Sequence, residues 1–246
     1  MFNRRYTFES LVKGTSNQEA CDAAQRIFDI SNPVHTPIIL IGDYATGKTH
    51  LMHAIGNKIE ETRIVQHPFY CSWNKLRLEI NDAIENHTIE KLCQQYSAYD
   101  ILLIDGIQDT DKNQIEQDVF FCILDDAHRN NRQIVLSVDA VDDNVISNKL
   151  LQKATIIELK SPNEIMRIEI LRRYMREENI PVDDELIAYI HATCSDMNIK
   201  DLIGVLTKTV ALASLMGANI SVAVAESCIT EFVTKSNEIV KTKGGM

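Results

Sequence analysis

The eight residues Gly42-Asp43-Tyr44-Ala45-Thr46-Gly47-Lys48-Thr49 match G-x-x-x-x-G-K-[ST] at every fixed position. That spacing suits phosphate chemistry. A backbone bent around a polyphosphate needs angles that glycine reaches at little cost. The loop's N–H groups and the N-terminus of the following helix then converge on negative charge. Lys48 would reach the outer phosphates, and the Thr49 hydroxyl would ligate Mg2+. His50 follows the loop directly and is counted with the nucleotide-binding set. The second residue of interest is Asp105, which ends the apolar run Ile101-Leu102-Leu103-Ile104. An aspartate at the C-terminal edge of a parallel strand can hold Mg2+ through water. The next position, where ATPases of this architecture usually carry a second carboxylate to polarise the attacking water, is Gly106.

A parallel sheet is needed to bring these groups together. Pro37–Gly42 is apolar throughout and ends in glycine, which reads as a buried strand leading into the loop. Helical spacing follows in His50–Ile59. Phe69–Ser72, Ile101–Ile104, Gln133–Val138 and Thr155–Leu159 read as further strands. Between them lie helical patterns over Leu76–Tyr96, interrupted near Asn86-His87, and around Gln114–Arg129. Alternation of this kind implies a parallel sheet covered by helices on both faces. After Lys160 the strand signals stop. Ser161-Pro162-Asn163-Glu164 reads as a helix start capped by Ser161, with Pro162 in the first turn. Helices are expected at about 163–178, 183–194, 198–216 and 222–234. The reading is therefore an α/β domain over 1–160, a helical domain over 161–236, and a loose tail over 237–246.

The chain's 246 residues are 45% apolar and 24% charged, ordinary for a folded domain with a real core. No apolar run approaches the ~20 residues that span a bilayer, and Met1-Phe2-Asn3-Arg4-Arg5 does not lead into a secretory signal, so a cytoplasmic protein is expected. Its six cysteines are scattered without paired spacing and read as reduced, packed thiols, not a zinc site. His50 and His53 share a helix face but have no third ligand. Net charge is −10, with 16 Lys+Arg against 23 Asp+Glu in the first 160 residues, so a broad duplex-DNA footprint is not expected. The aromatic trio Phe69, Tyr70 and Trp73 reads as core sooner than as a base-stacking platform. Arg167, Arg172, Arg173 and Arg176 interleave with glutamates and read as a salt-bridged face.

The chain resembles the AAA+ domain of the bacterial replication initiator DnaA and its homologues, nearly end to end. Tyr6-Thr7-Phe8-Glu9-Ser10-Leu11-Val12 is similar to that family's opening segment, and Gly47–Asn57 to its P-loop helix. Leu102–Gln108 is similar to its Walker-B strand, Gln133–Asp139 to its sensor-1 strand, and Asn198–Leu206 to sensor 2. The resemblance implies a P-loop AAA+ αβα sandwich with a small all-helical lid. It also implies ATP or ADP with Mg2+ in the cleft between the two, and residues of the Phe8–Val12 segment near the base. Thr49 and Asp105 would hold the metal, and Lys200 would stand at the sensor-2 position.

Three departures bear on chemistry. Gly106 replaces the family's second acidic residue. Lys200 replaces an arginine, keeping charge but losing the bidentate fork. The arginine-finger segment reads Asn148-Lys149-Leu150-Leu151-Gln152-Lys153, with Lys153 its nearest counterpart. Residues 75–97 match in length an element that touches single-stranded DNA in the family, but its basic cluster has become Leu92-Cys93-Gln94-Gln95-Tyr96-Ser97. As read, the chain lacks the family's N-terminal interaction domain and stops after the lid, without the helix-turn-helix domain that reads origin boxes. The expectation is a nucleotide-binding protein of replication initiation or its regulation, with weak or absent hydrolysis. Its partners would be an initiator or other replication proteins, or copies of itself in an AAA+ oligomer, with single-stranded DNA bound weakly and duplex DNA not directly. The alternatives are an Hda-type regulator that inactivates the initiator, or a DnaC-type helicase loader.

Overall fold

A computed structural model describes residues 2–27, 37–62, 67–107, 113–139 and 154–230. The chain divides into two compact units, Met1–Ser161 and Pro162–Met246.

In the first unit five parallel strands form one sheet in the order β2-β3-β4-β1-β5, with β1 Ile38–Gly42, β2 Pro68–Ser72, β3 Ile101–Ile107, β4 Gln133–Asp139 and β5 Thr155–Glu158. Its central strands are apolar runs because both faces are covered. Successive side chains point to opposite faces, so β3 feeds two cores at once. Leu102 and Ile104 pack with α3 (Trp73–Glu85), α4 (Ile89–Ser97) and α5 (Gln114–Arg129) through Trp73, Leu76, Tyr96 and Phe120. Ile101 and Leu103 pack on the other side with α1 (Gln18–Arg26) and α2 (Lys48–Thr62) through Ala20, Leu51 and Ile55.

The interruption expected near Asn86-His87 is the break between α3 and α4, where His87 takes φ +57°. The helix α1 has no counterpart in the sequence reading. Its buried face is Ala20, Cys21 and Ala24, small residues that carry little hydrophobic periodicity. Before it, residues 2–11 lie along α2. Phe2 is 6% exposed, and a Cβ on Gly56 would stand 2.0 Å from its ring, so only glycine lets the aromatic lie flat on the helix.

The second unit contains α6 (Glu164–Glu177), α7 (Asp184–Thr193), α8 (Ile199–Met216) and a helix α9 over residues 222–230. Leu171, Met175, Leu186, Ile190, Leu202 and Val205 are fully buried in it. The first helix starts later than the capping argument placed it. Asn163, not Ser161, is the cap, its side chain accepting from the Met166 N–H at 3.0 Å, and Pro162 lies outside the helix. Asn163 is extended at φ −68°, ψ 173°, the backbone an N-cap requires. Asp183 and Asn198 cap the next two helices in the same way, and Gly217 closes α8 in the left-handed conformation at φ +61°. The arginines of α6 pair locally. Arg172 binds Asp184, Arg173 binds Glu177, and Arg176 binds Glu169. Arg167 instead donates to the carbonyls of Cys194 and Ser195. No helix among the described residues is long and apolar enough to cross a membrane.

Candidate nucleotide site

The sheet order sets the C-terminal ends of β1, β4 and β3 side by side. Gly42 pairs in register with Asp139, and Ile104 with Leu136, so the loop, Asp139 and Asp105 share one edge. Ligands of open α/β sheets bind outside this edge.

From β1 the chain turns through Asp43 and Tyr44, both exposed, into α2 at Lys48. Ala45 at φ +64° and Gly47 at φ +101° supply the left-handed steps. A Cβ on Gly42 would stand 2.2 Å from the Leu159 carbonyl, so that position admits only glycine without a backbone shift. Thr46 donates its hydroxyl to the Asp43 carbonyl at 3.0 Å and braces the bend. Lys48 is only 6% exposed. Its ammonium donates to the carbonyls of Gly42 (2.6 Å) and Asp43 (2.7 Å) and pairs with the Asp139 carboxylate at 2.8 Å. A phosphate reaching Lys48 must compete with these three oxygens. Thr49, at the second position of the helix, is exposed, so its hydroxyl can reach a metal.

Asp105 is 9% exposed, and both its oxygens are engaged. Tyr70 on β2 donates its hydroxyl to Oδ2 at 2.9 Å, and Ser137 on β4 makes a short bond to Oδ1. Burial first, then the neighbouring Asp105, raises the Tyr70 phenol pKa, so Tyr70 remains a donor. Ser137 in turn accepts the Gly106 N–H at 2.8 Å. These two orienting residues were missed by the sequence reading. Ser137 offered the one available signal, a polar residue near the end of the otherwise apolar stretch Ile134–Val138. Gly106 sits at φ +75°, where the pairing of β3 with β4 skips between Ile104 and Ile107. A Cβ there would meet nothing within 4 Å, so backbone angle, not crowding, favours glycine.

His50 takes a structural part. Its Nε2 lies 3.1 Å from both the Thr7 carbonyl and Ser10 Oγ, and Tyr6 stacks on its ring with centroids 4.7 Å apart. Asn57 donates to the carbonyls of Asn3 and Tyr6, so the opening segment is strapped to the P-loop helix. Phe8 and Leu11 are buried, and Leu11 lies against Gly47. That places the Phe8–Val12 segment beside the loop. Trp73 is 2% exposed and packs edge-on to Phe120, and half-buried Phe69 stacks on Tyr99, so these two pack with the core while Tyr70 reaches Asp105. Lys200 is exposed in the first turn of α8, in the second unit. Lys153 with its segment lies outside the described residues, as does the tail.

His53, one turn after His50, accepts the Asn3 N–H on Nδ1 at 3.4 Å and lies 4.4 Å from the Tyr70 ring centroid. Burial lowers its pKa below the usual value, with the Asp105 charge acting the other way. The unfolded chain therefore takes this proton more readily. The stability His53 contributes is fully present above its unfolded pKa of about 6.5 and is lost as pH falls through its lower folded pKa. Thermal melts on acidification below about pH 6.5 should show a fall in midpoint that His53→Gln flattens. Identical slopes for parent and variant would reject this role.

The donor set fits what the loop implies. A hydroxyl and a carboxylate are the hard oxygen ligands Mg2+ prefers, and the turned backbone fits a polyphosphate. Residues 2–153 match the family model described as the bacterial DnaA ATPase domain. This chain belongs to that family. It is 30% identical over 246 residues to the chromosomal replication initiator protein DnaA of Thermoanaerobacter sp. (strain X514), covering 98% of this chain and 55% of the relative. The chain thus spans about half the length of that curated relative. The fold is that of domain III of the Thermotoga maritima replication initiation protein DnaA, with a TM-score of 0.84 at 24% identity over 94% of this chain and 98% of that one. A replication initiator DnaA bound to AMPPCP and single-stranded DNA superposes with a TM-score of 0.74 at 23% identity, covering 88% of this chain and 67% of that one. The AAA+ αβα fold and the DnaA-type domain are thereby established.

Proposed function

We propose that this chain is a cytoplasmic, adenine-nucleotide-binding module of replication initiation or its regulation, which works mainly through protein contacts and hydrolyses ATP weakly or not at all. The observation that carries the reading is one sheet edge that sets the glycine loop with Lys48 alongside Asp105, with glycine at the next position, 106. Lys48 would bind the outer phosphates, and Thr49 and Asp105 would hold Mg2+, which would neutralise charge on the phosphates. Tyr70 and Ser137 each hold one oxygen of the Asp105 carboxylate. Leu11 and Phe8 would flank the base. The AMPPCP held by the related initiator supports an adenine nucleotide.

The single-stranded DNA of that relative carries over less well. In α4, Leu92, Cys93 and Tyr96 are buried, which leaves Gln94 and Gln95 outward where a basic cluster would be needed. Fluorescence anisotropy at about 150 mM salt should give dissociation constants no tighter than the nonspecific range of ~10⁻⁴–10⁻⁶ M for single strands or duplexes. Submicromolar binding of an origin-type duplex would overturn this part. The reading as a whole is tested by co-purification of the tagged chain with an initiator and with a replicative helicase, in ATP and in ADP. Nucleotide-dependent retention of the initiator supports it. Retention of the helicase alone would make the chain a loader, and retention of neither would reject the proposal.

A further inference from the structure

We propose that Cys93 and Cys122 form a reversible dithiol–disulfide pair that clips α4 to α5. Their sulfurs lie 3.1 Å apart across the packed helices. Of the six cysteines, Cys122 alone is exposed, and the other five are buried. The pair therefore has an outer, attackable sulfur with an inner sulfur in contact behind it.

Asp126 joins these cysteines in a cluster of groups within 4.8 Å, which raises the question of a metal. The described residues offer three ligand groups here, where a structural zinc takes four. The Asp126 carboxylate is also occupied, 3.4 Å from the Arg129 guanidinium. Burial, followed by its contact with Cys122, pushes the Cys93 thiol up to about 12, which opposes metal ligation and also slows Cys93's own attack on a mixed disulfide, where the departing RS− takes its proton.

The oxidant is a small-molecule disulfide, RSSR. The Cys122 thiolate attacks one of its sulfurs, an RS− leaves, and Cys122 carries a mixed disulfide. Cys93 then attacks the Cys122 sulfur. Its proton passes to departing RS−, the bond to the small thiol breaks, and the Cys93–Cys122 bond forms. The chain loses two protons and two electrons, and RSSR becomes two RSH. The new bond closes the chain between α4 and α5, restricting the unfolded state. It also ties α4 to the helix whose Glu116 holds Arg77 of α3 at 2.8 Å, so three helices on one face of the sheet become joined.

The test is incubation of the folded full chain with oxidised glutathione, followed by intact-mass and peptide mapping and a thermal melt. The parent should lose the mass of two hydrogens, give a dithiothreitol-sensitive Cys93–Cys122 peptide, and melt higher than the reduced chain. Cys93→Ser should instead retain a glutathione adduct on Cys122, and Cys122→Ser should remain unmodified. A persistent glutathione adduct in the parent, no reaction at Cys122, or a linked chain that melts no higher than the reduced one would each overturn the proposal.

Discussion

Replacing Lys48 with alanine is expected to erase the rise in melting temperature that Mg2+ with ATP or ADP gives the parent. A ligand bound only by the native state adds RT ln(1 + [L]/Kd), about 2.7 kcal/mol at a hundredfold excess over Kd. For a chain of this size that corresponds to roughly 5–10 °C. Lys48 places the loop's buried cation where the outer phosphates would lie. Alanine removes it and leaves the Gly42 and Asp43 carbonyls and the Asp139 carboxylate without their shared donor. The site would then present oxygens to an anion. The variant should also melt lower than the parent without nucleotide, because buried acceptors lose a charged partner. Differential scanning fluorimetry across a nucleotide titration checks both effects. A variant that binds as tightly as the parent would remove the phosphate loop from the account.

The parent should turn over ATP near background, even with Mg2+ saturating. An arginine finger alone is worth ~10³–10⁵ in phosphoryl transfer. The corresponding segment of this sequence, residues 148–153, contains no arginine. Lys200 offers a single ammonium where a fork is expected, and Gly106 offers no carboxylate at all. Raising the protein concentration should therefore not rescue phosphate release, since assembly brings no guanidinium to a neighbour's site. Gly106→Asp should recover little. The finger would still be missing, and the new side chain would sit at φ +75°, a conformation costing an L-residue roughly 1–2 kcal/mol. Phosphate-release assays over a range of protein concentrations decide the matter. Robust turnover in the parent that Lys48→Ala abolishes would overturn this reading and make another carboxylate, Asp109 or Asp139, the water-orienting candidate.

The legible parts of the sequence were those where one local signal dominates. The β1 run, the glycine loop and the β3 run leading to Asp105 each combine an apolar strand with a residue type whose chemistry demands that position. β1 was placed to within a residue, whereas β3, read as Ile101–Ile104, runs on through Asp105 to Ile107. The less legible parts depend on pairing across the sheet. Tyr70 could not be linked to Asp105 without knowing that β2 neighbours β3, and Ser137 could not be linked without β4 on its other side. The cap at Asn163 was misplaced because Ser161-Pro162 and Asn163 are both good starts, and backbone geometry decides between them. The helix α1 escaped because small residues bury well without a strong apolar rhythm.

The alternation along β3 has a consequence for how this chain tolerates length changes. Two cores index the strand at once, one through Leu102 and Ile104 and the other through Ile101 and Leu103. A deletion or insertion of a single residue within 101–104 would exchange the contents of the two faces. The same edit would carry Asp105 one step along the strand and turn it to the other face, away from Tyr70 and Ser137. Substitutions in this stretch trade one hydrophobic volume for another, whereas indels would disturb the packing and the proposed metal ligand together. The carboxylate's position is thus protected by the same packing that makes the sheet.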